Sequence, residues 1–433
     1  MPEVAVSRSV SVPAWLKVVI RSGLVLLAVG EFYNCVFVCD HDFLWHHDFG
    51  QAFLNDQVYA KTGQQHYLPG RAMIDASTAW LPYRLNRALW FLGTCAGLAY
   101  CTRFWSRVGG SPAKNWLGPA SIALFVGITY INRDLAECGL QLFLLLLLTA
   151  AYASLIRGRS WLCGFWLGLA VAYKVMPIIF LPFLLWKRQW KAAGSMAAAM
   201  LSLSLLPAVF LGWEKNWTLH EQWLSKTVER LAIADPAENG VEAPVLWNRS
   251  LPLALARLVQ EYPPGHPLYV ESRGFVRFAS LEPRAAKQFV QLALAGLAVT
   301  LAWRCRHAVG VRDQGAALAG EWAVVCILVA LLSPLCWLHH LVLALPAGLL
   351  FAQSAAAGRA QRWQWGAAGV AVAMIMLVHR GLLGEALWTV VSVYHPHTLA
   401  CLLLGTVVLA SPRSKLVERR AIAGGFAPHR AAA

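Results

Sequence analysis

The sequence has few charged residues. Asp, Glu, Lys and Arg make up only 14% of its 433 residues, whereas a soluble protein of this length carries about 25%. Hydrophobic residues make up 58%, and several apolar runs are long enough to cross a hydrocarbon core of roughly 30 Å as helices. This composition excludes a soluble globular protein and predicts an all-α polytopic membrane protein.

Motifs for nucleotide chemistry are also missing. The sequence contains no GxGxxG motif, no Walker A motif and no sizeable cytoplasmic domain that could bind a nucleotide or a nucleotide sugar. We therefore expect no cofactor, and we expect an activated substrate to reach the protein within the bilayer.

The ten Cys residues form no CxxC pair. They are scattered through apolar segments, as Cys95, Cys163, Cys326 and Cys401 illustrate. This pattern predicts small buried apolar residues and neither zinc ligands nor a disulfide framework.

The formal net charge is +15, which by itself could indicate nucleic acid or an anionic membrane surface as a partner. The basic residues, however, lie in short segments between apolar runs, which is the pattern of cytoplasmic loops in membrane proteins. We therefore expect membrane lipids as partners and no nucleic acid.

The distribution of Lys and Arg also predicts a multi-pass protein of the cell membrane with both termini in the cytoplasm. Residues 1–21 are the predicted cytoplasmic N-terminal segment and residues 411–433 a cytoplasmic basic tail. Residues 22–410 form a single transmembrane domain of about ten to twelve helices. Its larger extracytoplasmic loops are residues 40–84 and 212–287, and residues 132–134 form a tight outer turn.

Residues 161–186 have basic residues at both ends, so both ends are predicted to be cytoplasmic. The segment is too short for two full spans. We expect two short helices folded back at residues 173–177, with a single kinked span as the alternative. The fold-back would carry Lys174 past the middle of the membrane, where its side chain could contact a phosphate or extend towards the surface.

The run Leu-Leu-Ser-Pro-Leu-Cys-Trp-Leu-His-His at residues 331–340 interrupts an apolar segment with Pro334 and ends on His339 and His340. Polar groups at membrane depth are costly, so they usually mark a site. The two imidazoles could bind a phosphate or a sugar hydroxyl, or shuttle a proton. Alternatively, they could cap backbone carbonyls at a helix end.

A cluster of acids and histidines follows the first apolar segment, and its members are His41, Asp42, His46, His47 and Asp48. Asp48 could act as a general base for a hydroxyl, or it could be a solvated loop acid or a helix N-cap. Metal binding is less favoured, because adjacent residues on a helix cannot converge on one ion.

Taken together, these features resemble glycosyltransferase family 87, the polyprenol-phosphate-mannose-dependent mannosyltransferases with the GT-C fold. The resemblance lies in four blocks: Asp48-Phe49 to Tyr67 with Leu81-Pro-Tyr83, Gly139-Leu-Gln141, Gly164 to Pro177, and Asn248-Arg-Ser-Leu251 with Ser333-Pro334 and Trp337-Leu-His-His340. The family's Tyr-Pro-Pro stands here as Leu81-Pro-Tyr83, and its Gly-Gln-x-Asn stands as Gly139-Leu-Gln141 without the Asn. These departures bear on the identity of the acceptor.

The resemblance implies a GT-C-like bundle with Asp48 as the catalytic base, one of His339 and His340 as its partner in the site, and mannose as the sugar. Further candidates are Lys174, Arg84 and Arg133 for the donor phosphate, and Tyr83, Trp337, Asn248 and Gln141 for the acceptor or sugar.

The expected function is that of a membrane glycosyltransferase. It would transfer a sugar from a polyprenyl-phosphate donor to a lipid or glycan acceptor at the extracytoplasmic face, with inversion. The main alternative is a membrane transporter or lipid flippase, a class that often has repeated halves and charged residues at mid-membrane. We find no internal repeat, and the polar residues lie at outer helix ends, which favours the transferase.

Overall fold

The structure is a computed structural model that describes residues 14–38, 42–60, 66–110, 117–233, 235, 247–262, 264, 269, 277–306 and 316–410. Most of these residues are helical, and the β-type pairing in this part of the chain is an isolated bridge between Gln260 and Leu281. The predicted basic tail, residues 411–433, and residues 1–13 of the N-terminal segment lie outside the described residues.

The α-helices that precede the outer segment around residue 212 are α1 (Ala14–Tyr33), α2 (Asp42–Leu54), α3 (Pro69–Ala79), α4 (Tyr83–Val108), α5 (Leu117–Val126), α6 (Ile128–Ala136), α7 (Leu140–Ile156), α8 (Ser160–Tyr173), α9 (Phe180–Trp186), α10 (Trp190–Leu205) and α11 (Ala208–Leu211). Those that follow it are α12 (Trp213–Ala232), α13 (Leu251–Val259), α14 (Pro283–Arg304), α15 (Ala316–Leu331), α16 (Leu345–Ala356), α17 (Arg362–Leu377), α18 (Arg380–Val393) and α19 (Pro396–Leu409). A π-helix, Asn34–Val38, continues α1, and 3-10 helices precede α9 (Met176–Ile179) and α16 (Leu338–Ala344).

The prediction of an all-α polytopic membrane protein is confirmed. By length and hydropathy alone, three helices in the described part of the chain could cross a membrane: Trp190–Leu211, Pro283–Arg304 and Leu338–Ala356. Two bent pairs raise this number to five, namely α6 with α7 and α17 with α18, which bend by 113° and 102°. Several shorter apolar helices accompany them. The total of about ten to twelve spans and the cytoplasmic position of the termini stay predictions.

The segment 40–84, predicted as an outer loop, contains two helices that pack against each other, α2 and α3. Gly50 of α2 lies so close to α3 that a Cβ on it would be 2.6 Å from the backbone of Asp75. The segment therefore forms a small helical layer beside the bundle. Its apolar residues Phe49 and Phe53 pack with Leu219 of α12, so α12 covers this layer.

The tight turn predicted at residues 132–134 is wrong, because these residues lie inside α6. The turn comes at Cys138 and Gly139, whose φ angles are 60° and 74°. Asp134 is fully buried, and its carboxylate accepts the backbone N–H groups of Gln141 (3.0 Å) and Leu142 (2.7 Å) at the start of α7. An acid at this place satisfies amides that have no partner within the helix.

The fold-back after α8 is present. A Cβ on Gly164 would lie 2.5 Å from the backbone nitrogen of Met196, and one on Gly168 would lie 3.1 Å from that of Met200. Positions thus increase together along α8 and α10, so these two helices run parallel. The chain between them must run in the opposite direction, which excludes a single kinked span. Lys174 lies at the reversal, where α8 ends.

The core of the bundle is built around stacked aromatic rings of α4, α7 and α15. The rings of Trp105 and Tyr152 are 5.0 Å apart and almost parallel, and Trp322 packs on the other side of Tyr152 at 5.2 Å. Trp105 donates its indole N–H to Thr149 Oγ1 at 3.0 Å. These contacts fix α7 and α15, whose ends carry Gln141 and the segment 333–340.

Candidate active site

The amide side chain of Asn248 bonds to the broken backbone at residues 333–340 at two places. Pro334 interrupts the helical pattern, and Asn248 Nδ2 donates to its carbonyl oxygen at 2.9 Å. Asn248 Oδ1 accepts the backbone N–H groups of Cys336 (2.9 Å) and Ser250 (3.0 Å). We predicted that Asn248 binds the acceptor or the sugar. These contacts show that it holds the broken backbone, whose polar groups need partners away from water. Its role in ligand binding stays a prediction.

His340 bonds at both ring nitrogens. Its Nδ1 accepts the backbone N–H of Trp337 at 3.1 Å, and its Nε2 lies 3.0 Å from Lys174 Nζ. A neutral imidazole carries one proton, which must therefore be on Nε2. The Nε2–H of His340 is then directed at Lys174 Nζ.

Lys174 is placed by the start of α7. Its Nζ donates to Gln141 Oε1 at 3.2 Å, and the hydroxyl of neighbouring Tyr173 donates to the carbonyl of Leu140 at 3.0 Å. Gln141 is buried. It contacts Lys174 in this way, and its predicted role in binding the acceptor or the sugar stays a prediction.

A buried ionic group lies next to Tyr173, and the sequence analysis missed it. Arg71 and Asp75 are four residues apart on α3, and Arg71 Nε lies 2.8 Å from both carboxylate oxygens of Asp75. Arg71 Nη1 donates to the Tyr173 carbonyl at 3.0 Å, and the guanidinium lies 3.6 Å from the centre of the Tyr173 ring. The group therefore links α3 to the end of α8 that carries Lys174.

His46 of α2 completes this group. Arg71 Nη2 lies 3.0 Å from its Nδ1, and Asp75 Oδ2 lies 3.3 Å from the same atom. Burial and then the positive charge of Arg71 lower the pKa of His46, so the ring is neutral and Nδ1 accepts from Arg71. The contact with Asp75 is consequently not a salt bridge, and Asp75 pairs with Arg71. Burial opposes the charge of Arg71, but Asp75 more than offsets this and raises the pKa of Arg71.

The two candidate acids, Asp42 and Asp48, lie on different faces of α2. Asp42 is four residues before His46, so both lie on one face of the helix, whereas Asp48 lies roughly 200° around the axis from His46. Asp42 interacts electrostatically with His46 and Lys174, and its backbone N–H donates to Glu137 Oε2 at 2.9 Å. Asp48 is half-buried, and its charge acts on the neighbouring His47. Asp42 therefore shares a face of α2 with His46 and Asp48 does not. The role of Asp48 as the catalytic base stays a prediction.

Three other predicted residues differ in their exposure to solvent. His339 is buried, with its ring centre 4.5 Å from that of His340. Arg133 is half-exposed and pairs with Glu137 at 3.2 Å, and its charge acts on His339. Trp337 is half-buried.

Two predicted residues lie at the start of α4. The Tyr83 ring packs between Phe43 and His47, at 6.2 and 5.1 Å between ring centres, and Arg84 is exposed in the same turn. Neither residue has a contact with Lys174 or His340 among the described interactions. Their roles in donor or acceptor binding stay predictions.

Among the described residues, no group of three or more His, Cys, Asp or Glu side chains is arranged to hold a metal ion. His41, a member of the acid and histidine cluster, lies outside these residues.

The arrangement is therefore a cluster of a carboxylate, an amine and two imidazoles at one end of the bundle. Its members come from α2, the end of α8 and the segment after α15, and α3 and α7 support them. A family model described as glycosyltransferase family 87 matches residues 66–334, which is more than half of the chain. The chain belongs to glycosyltransferase family 87. It is thus a polytopic helical member of this family.

A curated relative is similar to part of this family member. It is an α-(1→3)-arabinofuranosyltransferase of Corynebacterium glutamicum, 27% identical over 149 residues. The similarity covers 33% of this chain and 34% of the relative, so the chain spans about a third of the relative's length. No solved structure matches the chain.

Proposed function

We propose that this family 87 glycosyltransferase takes a sugar from a polyprenyl-phosphate donor and transfers it to a lipid or glycan acceptor at the extracytoplasmic face. The observation that carries the proposal is the meeting of Asp42, Lys174 and His340 at one end of the bundle. An acid and a cationic or hydrogen-bonding pair are what a transfer from a phosphate-linked sugar requires.

In the proposed reaction, the carboxylate of Asp42 takes the proton of an acceptor hydroxyl. The hydroxyl oxygen forms a bond to the anomeric carbon of the donor while the bond from that carbon to the phosphate oxygen breaks. One displacement inverts the configuration, so a β-linked donor gives an α-linked product. Lys174 and His340 stabilise the charge that develops on the departing phosphate.

The Lys174–His340 contact suits this role. His340 already carries a proton on Nε2 and can donate it to a phosphate oxygen. A nearby anion favours the protonated form of Lys174. Two donors would then face the phosphate. Arg71 is already bonded to Asp75 and Tyr173, so we assign it to positioning and not to the phosphate.

Mannose as the sugar follows from the family resemblance, whereas the Corynebacterium relative is an arabinofuranosyltransferase. The experiment is to incubate the purified protein with polyprenyl-phosphate mannose or polyprenyl-phosphate arabinofuranose and with membrane lipids of the host. Products are identified by mass spectrometry. We expect consumption of the mannosyl donor and an α-linked mannosyl product.

A Lys174→Met variant provides the inactive control. Consumption of the arabinofuranosyl donor alone would show that the transferred sugar is arabinofuranose and would leave the proposed type of reaction unchanged. Movement of donor across vesicle membranes without any product would support a flippase instead and contradict the proposal.

A further inference from the structure

Two cysteine thiols meet at the same end of the bundle as the candidate site. Cys35 Sγ and Cys138 Sγ are 2.8 Å apart, both residues are fully buried, and 103 positions separate them in sequence. Cys35 lies in the π-helix that continues α1, and Cys138 forms the turn between α6 and α7. The two segments thus touch through their sulfur atoms.

The backbone of Cys138 has a strained conformation for a residue with a side chain. Its φ of 60° is in the left-handed region, which residues other than glycine, asparagine and aspartate seldom adopt. The next residue is Gly139, which is also left-handed at 74°. A glycine at 138 would avoid the strain, so a side chain here needs a compensating interaction. The contact with Cys35 is such an interaction.

Arg87 of α4 is the third member of this group. Its side chain is buried and interacts with both Cys35 and Cys138 by hydrogen bonding and charge. A guanidinium beside a thiol favours the thiolate, which is the form that reacts with disulfides. The group therefore combines two adjacent thiols with a cation that promotes their exchange chemistry.

We propose that Cys35 and Cys138 form a disulfide bond in the mature protein. The reaction is a thiol–disulfide exchange in which an extracytoplasmic oxidoreductase with a reactive disulfide is the oxidant. One thiolate attacks that disulfide and the second displaces the oxidoreductase. The Cys35–Cys138 bond forms, the oxidoreductase leaves with two reduced thiols, and the two protons go to solvent or to those thiols. The proposal rests on the extracytoplasmic position of this end of the bundle and not on the reaction catalysed.

The bond would fix the start of α2 against the α6–α7 turn. Glu137, which accepts the backbone N–H of Asp42 at 2.9 Å, is adjacent to Cys138. The disulfide would thus connect the end of α1 to the turn whose Glu137 bonds to the backbone of Asp42, the proposed catalytic acid. If present, it would make these two residues an exception to the expectation that the cysteines are small buried apolar residues.

The test is differential alkylation of protein purified without reductant. The denatured protein is first treated with iodoacetamide, then reduced and treated with N-ethylmaleimide, and peptides are identified by mass spectrometry. We expect N-ethylmaleimide, the second label, on Cys35 and Cys138. We expect iodoacetamide, the first label, on Cys95, Cys163 and Cys326. The first label on Cys35 and Cys138 would overturn the proposal. So would a bond of either residue to Cys39, which lies outside the described residues.

Two variants sharpen the test. Cys35→Ala should move Cys138 to the first label, whereas the matched Cys326→Ala, also buried, should leave the pattern unchanged. A reductant should lower the melting temperature of the wild-type protein but not that of Cys35→Ala/Cys138→Ala. If these variants fail to fold, the labelling pattern of the wild type decides alone. Because labelling needs no sugar donor, its outcome is independent of the proposed transferase reaction.

Discussion

Lys174 Nζ lies 3.0 Å from His340 Nε2, although 166 residues separate the two in sequence. The contact depends on two irregular segments: the reversal of the chain after α8 brings Lys174 to the end of the bundle, and the break at Pro334 turns His340 towards it. Since the Trp337 amide occupies Nδ1 of His340, the second ring nitrogen is directed at Lys174. The two side chains are therefore held in direct contact.

We predict that Lys174→Met lowers sugar transfer by on the order of 10²-fold or more, because a donor to the departing phosphate is lost. His340→Ala should cause a loss of similar size. His339→Ala should act mainly on stability, since its buried ring packs against His340 and the contact with Lys174 is made by His340. The measurements are donor consumption and melting temperature for all three variants. Lys191→Met, a change at an exposed lysine of α10, is the matched control.

Equal and small losses of turnover for Lys174→Met and His340→Ala would remove this pair from the site. A large effect of Lys191→Met would show that any loss of positive charge on the protein weakens donor binding.

The second prediction separates the two acids of α2. Asp42→Asn should reduce transfer by about 10²–10⁴-fold, the usual consequence of losing a general base. Asp48→Asn should keep turnover within a few-fold of the wild type, because Asp48 lies on another face of the helix from His46. Both variants keep the size of the side chain, so melting temperatures should stay close to the wild-type value. Loss of transfer in Asp48→Asn alone would restore Asp48 as the base.

The sequence alone could nominate candidate residues but could not show which of them lie together. Lys174, His339 and His340 were predictable, because a charge or an imidazole inside an apolar run is costly and so is informative. The choice between Asp42 and Asp48 needed the start and phase of α2, and a segment of mixed polar residues after a span does not reveal them. The sequence also could not show that the amide of Asn248 bonds to the backbone of a distant proline break.

Arg71 and Asp75 show a different limit. Their spacing of four residues is typical of an ion pair on a helix, and most such pairs are exposed and contribute little. Nothing in the sequence indicates that α12 covers this helical layer or that Tyr173 stacks on the guanidinium. Burial, which makes the pair important, depends on contacts between segments far apart in the chain.

The third prediction concerns the close packing of α8 and α10. Gly164→Ala should lower the melting temperature, because the new Cβ would lie 2.5 Å from the backbone nitrogen of Met196 and backbone cannot move aside easily. Gly194→Ala is the matched control, since a Cβ there meets nothing within 4 Å. Replacing a helical glycine by alanine gains about 1 kcal/mol where space allows, so Gly194→Ala should be neutral or stabilising. Equal melting temperatures for the two variants would contradict the parallel contact that places Lys174.

The last prediction concerns pH and the contact between α12 and the layer of α2 and α3. Arg230 Nη2 lies 2.6 Å from His66 Nδ1, and burial followed by the charge of Arg230 lowers the pKa of His66 to about 4.

In the unfolded chain a histidine titrates near 6.5, at about its ordinary pKa. Between these two values the unfolded state binds more protons than the folded state, so stability rises with pH across this window and falls as the pH drops from about 6.5 towards 4. The melting temperature should therefore decrease more steeply with falling pH in the wild type than in His66→Gln, which cannot take up the proton. Arg230→Gln should lie between the two, because it removes the second cause of the shift and leaves burial. The measurement is the melting temperature of the three proteins at several pH values from 7.5 to 5, and identical slopes would exclude His66 as a source of acid sensitivity.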